Sequence, residues 1–175
     1  MSDPEPIRLE ELQEEHRELL LKVNTRSQDL HDPWVSAPTS DGGFDAYLRR
    51  AESADTVALL AFADDDLIGV INLNHIVRRN FQNAHLGYYA NVDLAGKGLM
   101  RAAMEAVVTH AFEELNLHRL EANIQPDNTA SIRLVESVGF RHEGLARNLI
   151  HIKGAWRDHE RYAITVEDWN RGDDG

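Results

Sequence analysis

Hydrophobic positions recur along this chain with two different periods, and the switches between them mark out the elements. Ile7-Arg8-Leu9 reads as a short first strand. Residues 10–27 read as an amphipathic helix, with Leu12, Leu19, Leu20 and Val23 on one side and acidic residues crowding the first turns. Residues 30–40 hold two prolines and Trp34 and are expected to form a loop, followed by a short helix over 44–52. An aromatic in such a loop either plugs a gap in the core or walls a pocket. Strands at 56–62 and 67–75 meet across Asp64-Asp65-Asp66, and Arg78-Arg79-Asn80 turns the chain into a strand at 84–92.

Met100, Ala103, Met104, Val107, Ala111 and Leu115 keep helical spacing over 99–115. A strand at Arg119–Ile124 and a loop at Gln125-Pro126-Asp127 lead to a helix over Thr129–Val138, capped by Asn128 or Asp127 and closed by Gly139. Two last strands, Arg141–Ile152 and 156–165, pair across Lys153-Gly154-Ala155, and residues 171–175 are expected to fray. Hairpins on either side of one strand–helix–strand crossover predict an α+β fold. A mixed, mostly antiparallel sheet should carry helices on both faces, as one domain over 1–175.

The stretch 84–100, A-H-L-G-Y-Y-A-N-V-D-L-A-G-K-G-L-M, joins a strand to a helix through Ala95-Gly96-Lys97-Gly98. Strand, glycine loop and helix start together aim unpaired backbone N–H groups and the positive end of the helix dipole at one point. An anion such as a phosphate belongs there; the plain alternative is an ordinary turn. The spacing is neither G-x-G-x-x-G nor the Walker pattern, so dinucleotide and nucleoside-triphosphate readings lack their signature.

Composition narrows the picture. Eighteen Lys and Arg stand against thirty Asp and Glu, a formal charge of −12. Such a surface repels nucleic acid and favours cationic partners, or serves solubility alone. No apolar run reaches bilayer length, and the acidic start Met1-Ser2-Asp3-Pro4-Glu5-Pro6 has no hydrophobic segment behind it. There is no cysteine, hence no disulfide, thiolate metal site or cysteine nucleophile, and the nine histidines show no metal-ligand spacing. A cytoplasmic protein without a metal, acting neither on nucleic acid nor at a membrane, is the expectation. Oligomeric state is open, a homodimer included.

From Gly69 onward the runs G-V-I-N-L-N-H-I-V-R, L-G-Y-Y, G-K-G-L-M, L-H-R-L-E-A-N, P-D-N-T-A-S, V-G-F-R-H-E-G and G-A-W-R-D-H follow one another. In this order they resemble the GNAT acyltransferase superfamily, specifically its ribosomal-protein N-acetyltransferase branch (the RimJ/RimL type). The N-terminal third resembles it more loosely, through V-N-T-R-S-Q-D-L and Trp34. The resemblance implies acetyl-CoA (coenzyme A) as cofactor and an amine as acceptor: first a protein N-terminus such as a ribosomal protein's, otherwise a small cationic amine such as a polyamine, an amino sugar or an aminoacyl compound, with a CoA-binding module without turnover as the other reading. It implies a GNAT-like sheet splayed open in the middle after the strand ending near Val92, with Tyr89, Ala90 and Val92 pairing with the pantetheine. It also implies a pyrophosphate loop over 95–101, with Gly96, Lys97, Gly98, Leu99, Met100 and Arg101 as its residues. Ala95 departs from the Gln or Arg usual in the family, and Met100 from Gly or Ala, so weaker coenzyme binding is expected.

Acyl transfer from a thioester needs a neutral amine and a proton for the departing thiolate. An α-amine with a reference pKa near ~7.7–8.0 is partly neutral at cellular pH, whereas a lysine amine near ~10.4 is neutral in about one molecule in a thousand. The tyrosine some family members use as proton donor falls here on Val135, and the resemblance offers Ser131 instead; its plain alternative is a helix cap. Asn128 would hold the pantetheine, cap the helix, or both. Glu121 sits where related enzymes place a glutamate base, and shares a strand face with Asn123, a further cofactor contact. His75 is the second candidate base, near the acceptor. Trp34, Tyr88 and Trp156 are expected to wall the acceptor groove, with Arg157 and Asp158 as a structural ion pair.

Overall fold

Strands β2 (Val57–Ala63) and β3 (Asp66–Val77) are buried on both faces along most of their length, which requires a layer of helices on each side. The computed structural model describes residues 6–172 and provides both layers. One seven-stranded sheet runs in the order β1 (Arg8–Glu11), β2, β3, β4 (Asn83–Ala90), β5 (Arg119–Ile124), β7 (Ala155–Thr165), β6 (Arg141–Ile152). Every neighbouring pair is antiparallel except β4 and β5. That parallel pair is joined by the crossover through α4 (Leu99–Glu113). The fold is the mixed, mostly antiparallel α+β sheet expected from the pattern.

The period of two assigns each strand residue to a layer. Leu59, Ala61, Ile71, Leu73, Ala84 and Leu86 face α4 and α5 (Thr129–Val138), where they meet Met104, Val107, Val108 and Val135. Leu60, Phe62, Val70 and Tyr89 face the other way, toward Leu20 of α1 (Arg17–Arg26) and Phe44 and Tyr47 of α3 (Asp41–Ala51). Between those two helices lie a single turn, α2 (Gln28–His31), and the loop carrying Trp34.

The pairing of β4 with β5 stops early. It runs from Asn83↔Arg119 to Leu86↔Ala122, whereas β4 stays on β3 as far as Ala90↔Gly69. Beyond Leu86 the two strands part and leave a fork in the middle of the sheet.

Several expected boundaries shift. Glu10 and Glu11 continue β1, because the β2 edge offers them Leu60 and Leu59 as partners. A 3-10 turn at Glu14–His16 then precedes a helix confined to Arg17–Arg26. Residues 91–92 leave β4, drawn into a 3-10 turn at Val92–Leu94 where the Asn91 side chain accepts from the Asp93 N–H at 3.0 Å. The chain also ends in a helix that the pattern did not suggest, α6 (Val166–Gly172). Of the tail expected to fray, 171–172 belong to this helix and 173–175 lie outside the described residues, as does the acidic start over 1–5.

Candidate active site

The glycine loop forms the floor of one side of the fork. Gly96 and Gly98 hold φ of +75° and +78°, a left-handed backbone that a side chain would strain. A Cβ at either position would meet nothing within 4 Å, so the backbone bend, not crowding, requires glycine. Gly98 is also the N-cap of α4 and has no side chain to cap with. By contrast, Ser40 caps α3 and Asn128 caps α5 by accepting from the N–H groups of Gly43 and Ser131. The first intrahelical bond of α4 is Ala102 N–H to Gly98 O at 3.3 Å. The N–H groups of Leu99, Met100 and Arg101 are therefore left facing outward, with the helix dipole behind them.

A cavity of about 360 Å³ opens beside this loop, lined among others by Ala95, Gly96, Gly98, Met100, Arg101 and Tyr89. Its walls are mainly apolar. Met100 reaches across to Gly69, where any Cβ would come within 2.9 Å of its Sδ and 2.5 Å of the Tyr89 carbonyl. Lys97 is exposed and Leu99 packs against the core; neither lines the cavity.

Ala90 and Val92, both expected to pair with the pantetheine, are partly or wholly committed within the protein. The Ala90 carbonyl accepts from His31 Nε2 at 2.8 Å. Val92 donates its N–H to Ser27 Oγ at 3.0 Å, out of the strand. Burial pushes the His31 pKa below its ordinary value, only partly opposed by the bond to Ala90, and its Nδ1 is buried without a partner.

A second cavity, about 500 Å³, occupies the other side of the fork. Trp34, Val35, Tyr88, Asn128 and Ser131 line both cavities and so form the wall between them. On that wall the hydroxyls of Tyr88 and Ser131 lie 2.5 Å apart. Burial pushes the Tyr88 hydroxyl up to about 12, with the Ser131 bond pulling weakly the other way, so it keeps its proton at neutral pH. Val135, by contrast, is fully buried in the core.

The second cavity is lined by Asn74, His75, His85, Asn123 and Gln125 together with Leu149, Ile150 and Ile152 of the β6–β7 hairpin. Asn123 Oδ1 is buried there with no partner. Among the described residues no Asp or Glu contributes to the lining.

Glu121, the expected base, is set apart from this lining. It shares a strand face with Asn123 as the alternation requires, but it lies outside the cavity lining, buried between two arginines and His85. Arg119 Nε lies at 2.8 Å, His85 Nε2 at 2.7 Å and an Arg161 nitrogen at 3.4 Å. Burial would raise its pKa, but these three neighbours outweigh it and keep Glu121 a carboxylate. The group that does face the cavity is His85, directly opposite Glu121 in register, with its Nδ1 unpartnered. Sequence reasoning missed it. The only available signal was that β4 and β5 run parallel, which brings two residues far apart in sequence side by side.

His75 reaches the same cavity from a bulge in β3, where its φ is +51°, and its ring lies edge-on to His85 at 6.2 Å. Trp156, expected in the groove, sits near the tip of the β6–β7 hairpin, 62% exposed and packed on His151. No helix layer reaches that tip, so alternation there selects between two solvated faces. Arg157 and Asp158 point to opposite faces as strand neighbours must, and Asp158 accepts the N–H of Asn148 at 2.8 Å instead. The hairpin tip is tied to the loop before Pro33 by an ion pair between Lys153 and Asp32.

A parallel pair that parts after a glycine-capped helix start, with a cavity on each side of the parting, defines a group-transfer site of the acyltransferase kind. Residues 7–141 match the acetyltransferase (GNAT) domain, and the chain belongs to that family. A Bacillus subtilis (strain 168) protein named "Probable N-acetyltransferase YjcK" is 44% identical over 124 residues, 70% of this chain and 68% of the relative. The [Ribosomal protein uS5]-alanine N-acetyltransferase of Escherichia coli (strain K12) is 38% identical over 109 residues. That match spans 62% of this chain and just over half, 56%, of the relative. The structure of Mycobacterium smegmatis RimJ in complex with CoA-disulfide superposes with a TM-score of 0.82 at 25% identity, covering 92% of this chain and 82% of that one. Spermidine N-acetyltransferase from Vibrio cholerae, in complex with CoA and spermine, shares the fold. Its TM-score is 0.77 at 20% identity, covering 94% and 98% of the two chains. The chain is thus an N-acetyltransferase of the GNAT type, an acyltransferase whose acyl donor is acetyl-CoA, and its relatives support the RimJ/RimL-type branch. Among the described residues no helix is long and apolar enough to cross a membrane.

Proposed function

We propose that this protein acetylates the N-terminal α-amine of a protein, such as a ribosomal protein, in the cytoplasm. The observation that carries this reading is the lining of the second cavity: amide side chains and histidines set among apolar residues, with no carboxylate among the described residues. A polyamine needs carboxylates to replace the water around its ammonium groups. Asn74, Asn123 and Gln125 offer instead the donors and acceptors that suit peptide groups, and the unpartnered Asn123 Oδ1 gains a partner when an N–H is presented to it.

The first cavity suits acetyl-CoA. The N–H groups of Leu99, Met100 and Arg101 would take the pyrophosphate, and the apolar wall by Tyr89 and Met100 the pantetheine. When bound, acetyl-CoA supplies an activated acetyl group whose leaving sulfur is a good one. The chain's own residues manage protons. His85 accepts one from the incoming ammonium, held in orientation by Glu121, which is a positioning residue. The Tyr88–Ser131 pair supplies one to the departing thiolate. An α-amine asks little of the base, because a useful fraction is already neutral.

Release of free thiol from acetyl-CoA, measured with octapeptides that begin with Ala or Ser and in parallel with spermidine and spermine, tests the assignment. Turnover with peptides and none with polyamines is expected. Polyamine turnover without peptide turnover would overturn it.

A further inference from the structure

A third cavity, about 830 Å³, continues from the acceptor side of the site. Val35, Asn74, His75, Gly87 and Tyr88 line it as well as the second cavity, so the two cavities adjoin along these residues. Its charged lining differs from the rest of this acidic protein: Arg49 and Arg50 at the end of α3, against a single carboxylate, Asp55. The Asp55 oxygen Oδ1 already accepts from Ser53 Oγ at 2.7 Å and from Thr56 Oγ1 at 3.3 Å. Neither arginine has a carboxylate within ion-pair distance among the described residues, although most of the chain's other arginines do. Cations at a helix C-terminus suit its dipole, which accounts for their presence on α3. Both are exposed, and Arg50 lies over the Tyr47 ring at 5.8 Å, so in a chain of net charge −12 they bring positive charge to the wall of a cavity that adjoins the acceptor side of the site.

We propose that this cavity is a subsite for a carboxylate carried by the acceptor beyond its amine, and that Arg49 and Arg50 bind it. The inference rests on the peptide reading above and sharpens it: the preferred acceptor is an N-terminus followed within a few residues by Asp or Glu. Arginine suits this role because its planar fork binds a carboxylate through two parallel hydrogen bonds. It also places positive charge along the acceptor's path, which disfavours a polycation there.

C-terminally amidated octapeptides that begin with Ala, and carry Glu, Gln or Lys in turn at each of positions 2 to 6, test it. They are assayed for acetylation and, separately, for binding to the protein in the presence of CoA by calorimetric titration. At one or two positions Glu should lower KM and Kd about three- to tenfold relative to Gln, and Lys should raise them, with kcat unchanged. The double variant Arg49→Glu/Arg50→Glu should reverse the order of Glu and Lys and leave the all-neutral peptide as it was. Arg49→Gln/Arg50→Gln, which keeps the helix without reversing charge, should erase the preference. A free-acid dipeptide that gains as much as the amidated Glu peptides would locate the recognised carboxylate at a chain end, within the same subsite. Equal binding of Glu, Gln and Lys peptides at every position, or a preference unmoved by both double variants, would overturn the subsite while leaving N-terminal acetylation standing. Peptides that bind with the stated preference but are never acetylated would overturn the N-terminal reading and leave the subsite.

Discussion

Tyr88 of β4 and Ser131 of α5 meet hydroxyl to hydroxyl at 2.5 Å, on the wall between the first and second cavities. Two elements must be placed independently for this contact to exist. β4 has to diverge from β5, and α5 has to start at Asn128, whose side chain takes the Ser131 N–H at 3.3 Å and leaves the hydroxyl free to face Tyr88. Ser131→Ala and Tyr88→Phe should each lower kcat about a hundredfold while leaving the Kd of CoA within about twofold. The larger loss identifies the immediate donor to the sulfur. The raised Tyr88 pKa sets the alkaline limit. This hydroxyl should stay protonated past the ordinary tyrosine range and ionise near 12, seen as one absorbance step at 295 nm that Tyr88→Phe removes.

His85→Gln should cost more than Glu121→Gln in kcat, about a hundredfold against about tenfold, if one carries the proton and the other holds it in place. KM for acetyl-CoA and for the acceptor should not move in either variant. Glu121→Gln should also lower Tm, because Arg119 and Arg161 lose the anion they enclose. A Glu121 variant less active than the His85 variant would reverse the assignment.

Gly98→Val should be worse than Gly98→Asn although both have open space around the new side chain. The left-handed backbone costs an ordinary residue about 1–2 kcal/mol, more for a β-branched one and less for Asn. Relaxing that strain turns the N–H groups of 99–101 away from their common focus. Titration with CoA should show at least a tenfold loss for the Val variant and a smaller one for Asn.

His31 makes stability depend on pH. Its folded pKa lies below 6.5, so between that lowered value and 6.5 the unfolded chain binds more protons and stability rises with pH. The stabilisation is present in full above 6.5 and is lost as the pH falls through the folded value. Tm should therefore drop from pH 7.5 to pH 5.5 by more in the wild type than in His31→Gln, which can keep the donor to Ala90 without taking up a proton. Carboxylates held low, such as Glu121 and Glu10, act only below about 4.5 and do not confuse this window.

The elements that could be read from sequence are those whose periodicity is uninterrupted: Arg119–Ile124, Thr129–Val138 and Arg141–Ile152 fall where the pattern puts them. The bend of the glycine loop and the helix start behind it were legible because they are local to the backbone and contiguous in the chain. Acid–base partners were not, since they come from different strands. Glu121 looks like an isolated strand carboxylate until Arg119, Arg161 and His85 are set around it, and His85 acquires meaning only opposite Glu121. Trp156 misled for the opposite reason: a large aromatic in a conspicuous motif sits where the hairpin has outrun its supporting layer. The turn at Val92 was hidden because Ser27, the side chain that claims its N–H, lies 65 positions earlier.

The parting of β4 from β5 leaves backbone groups in the centre of a sheet without a neighbouring strand, at a place where most sheets are sealed. His31 Nε2 donates to the Ala90 carbonyl, and a strand-like ligand lying in the gap would offer partners to the others. If the donor's pantetheine, with its two amides, lay in that gap, the two halves of the sheet would be held together by the ligand, and both acetyl-CoA and the product CoA should raise Tm.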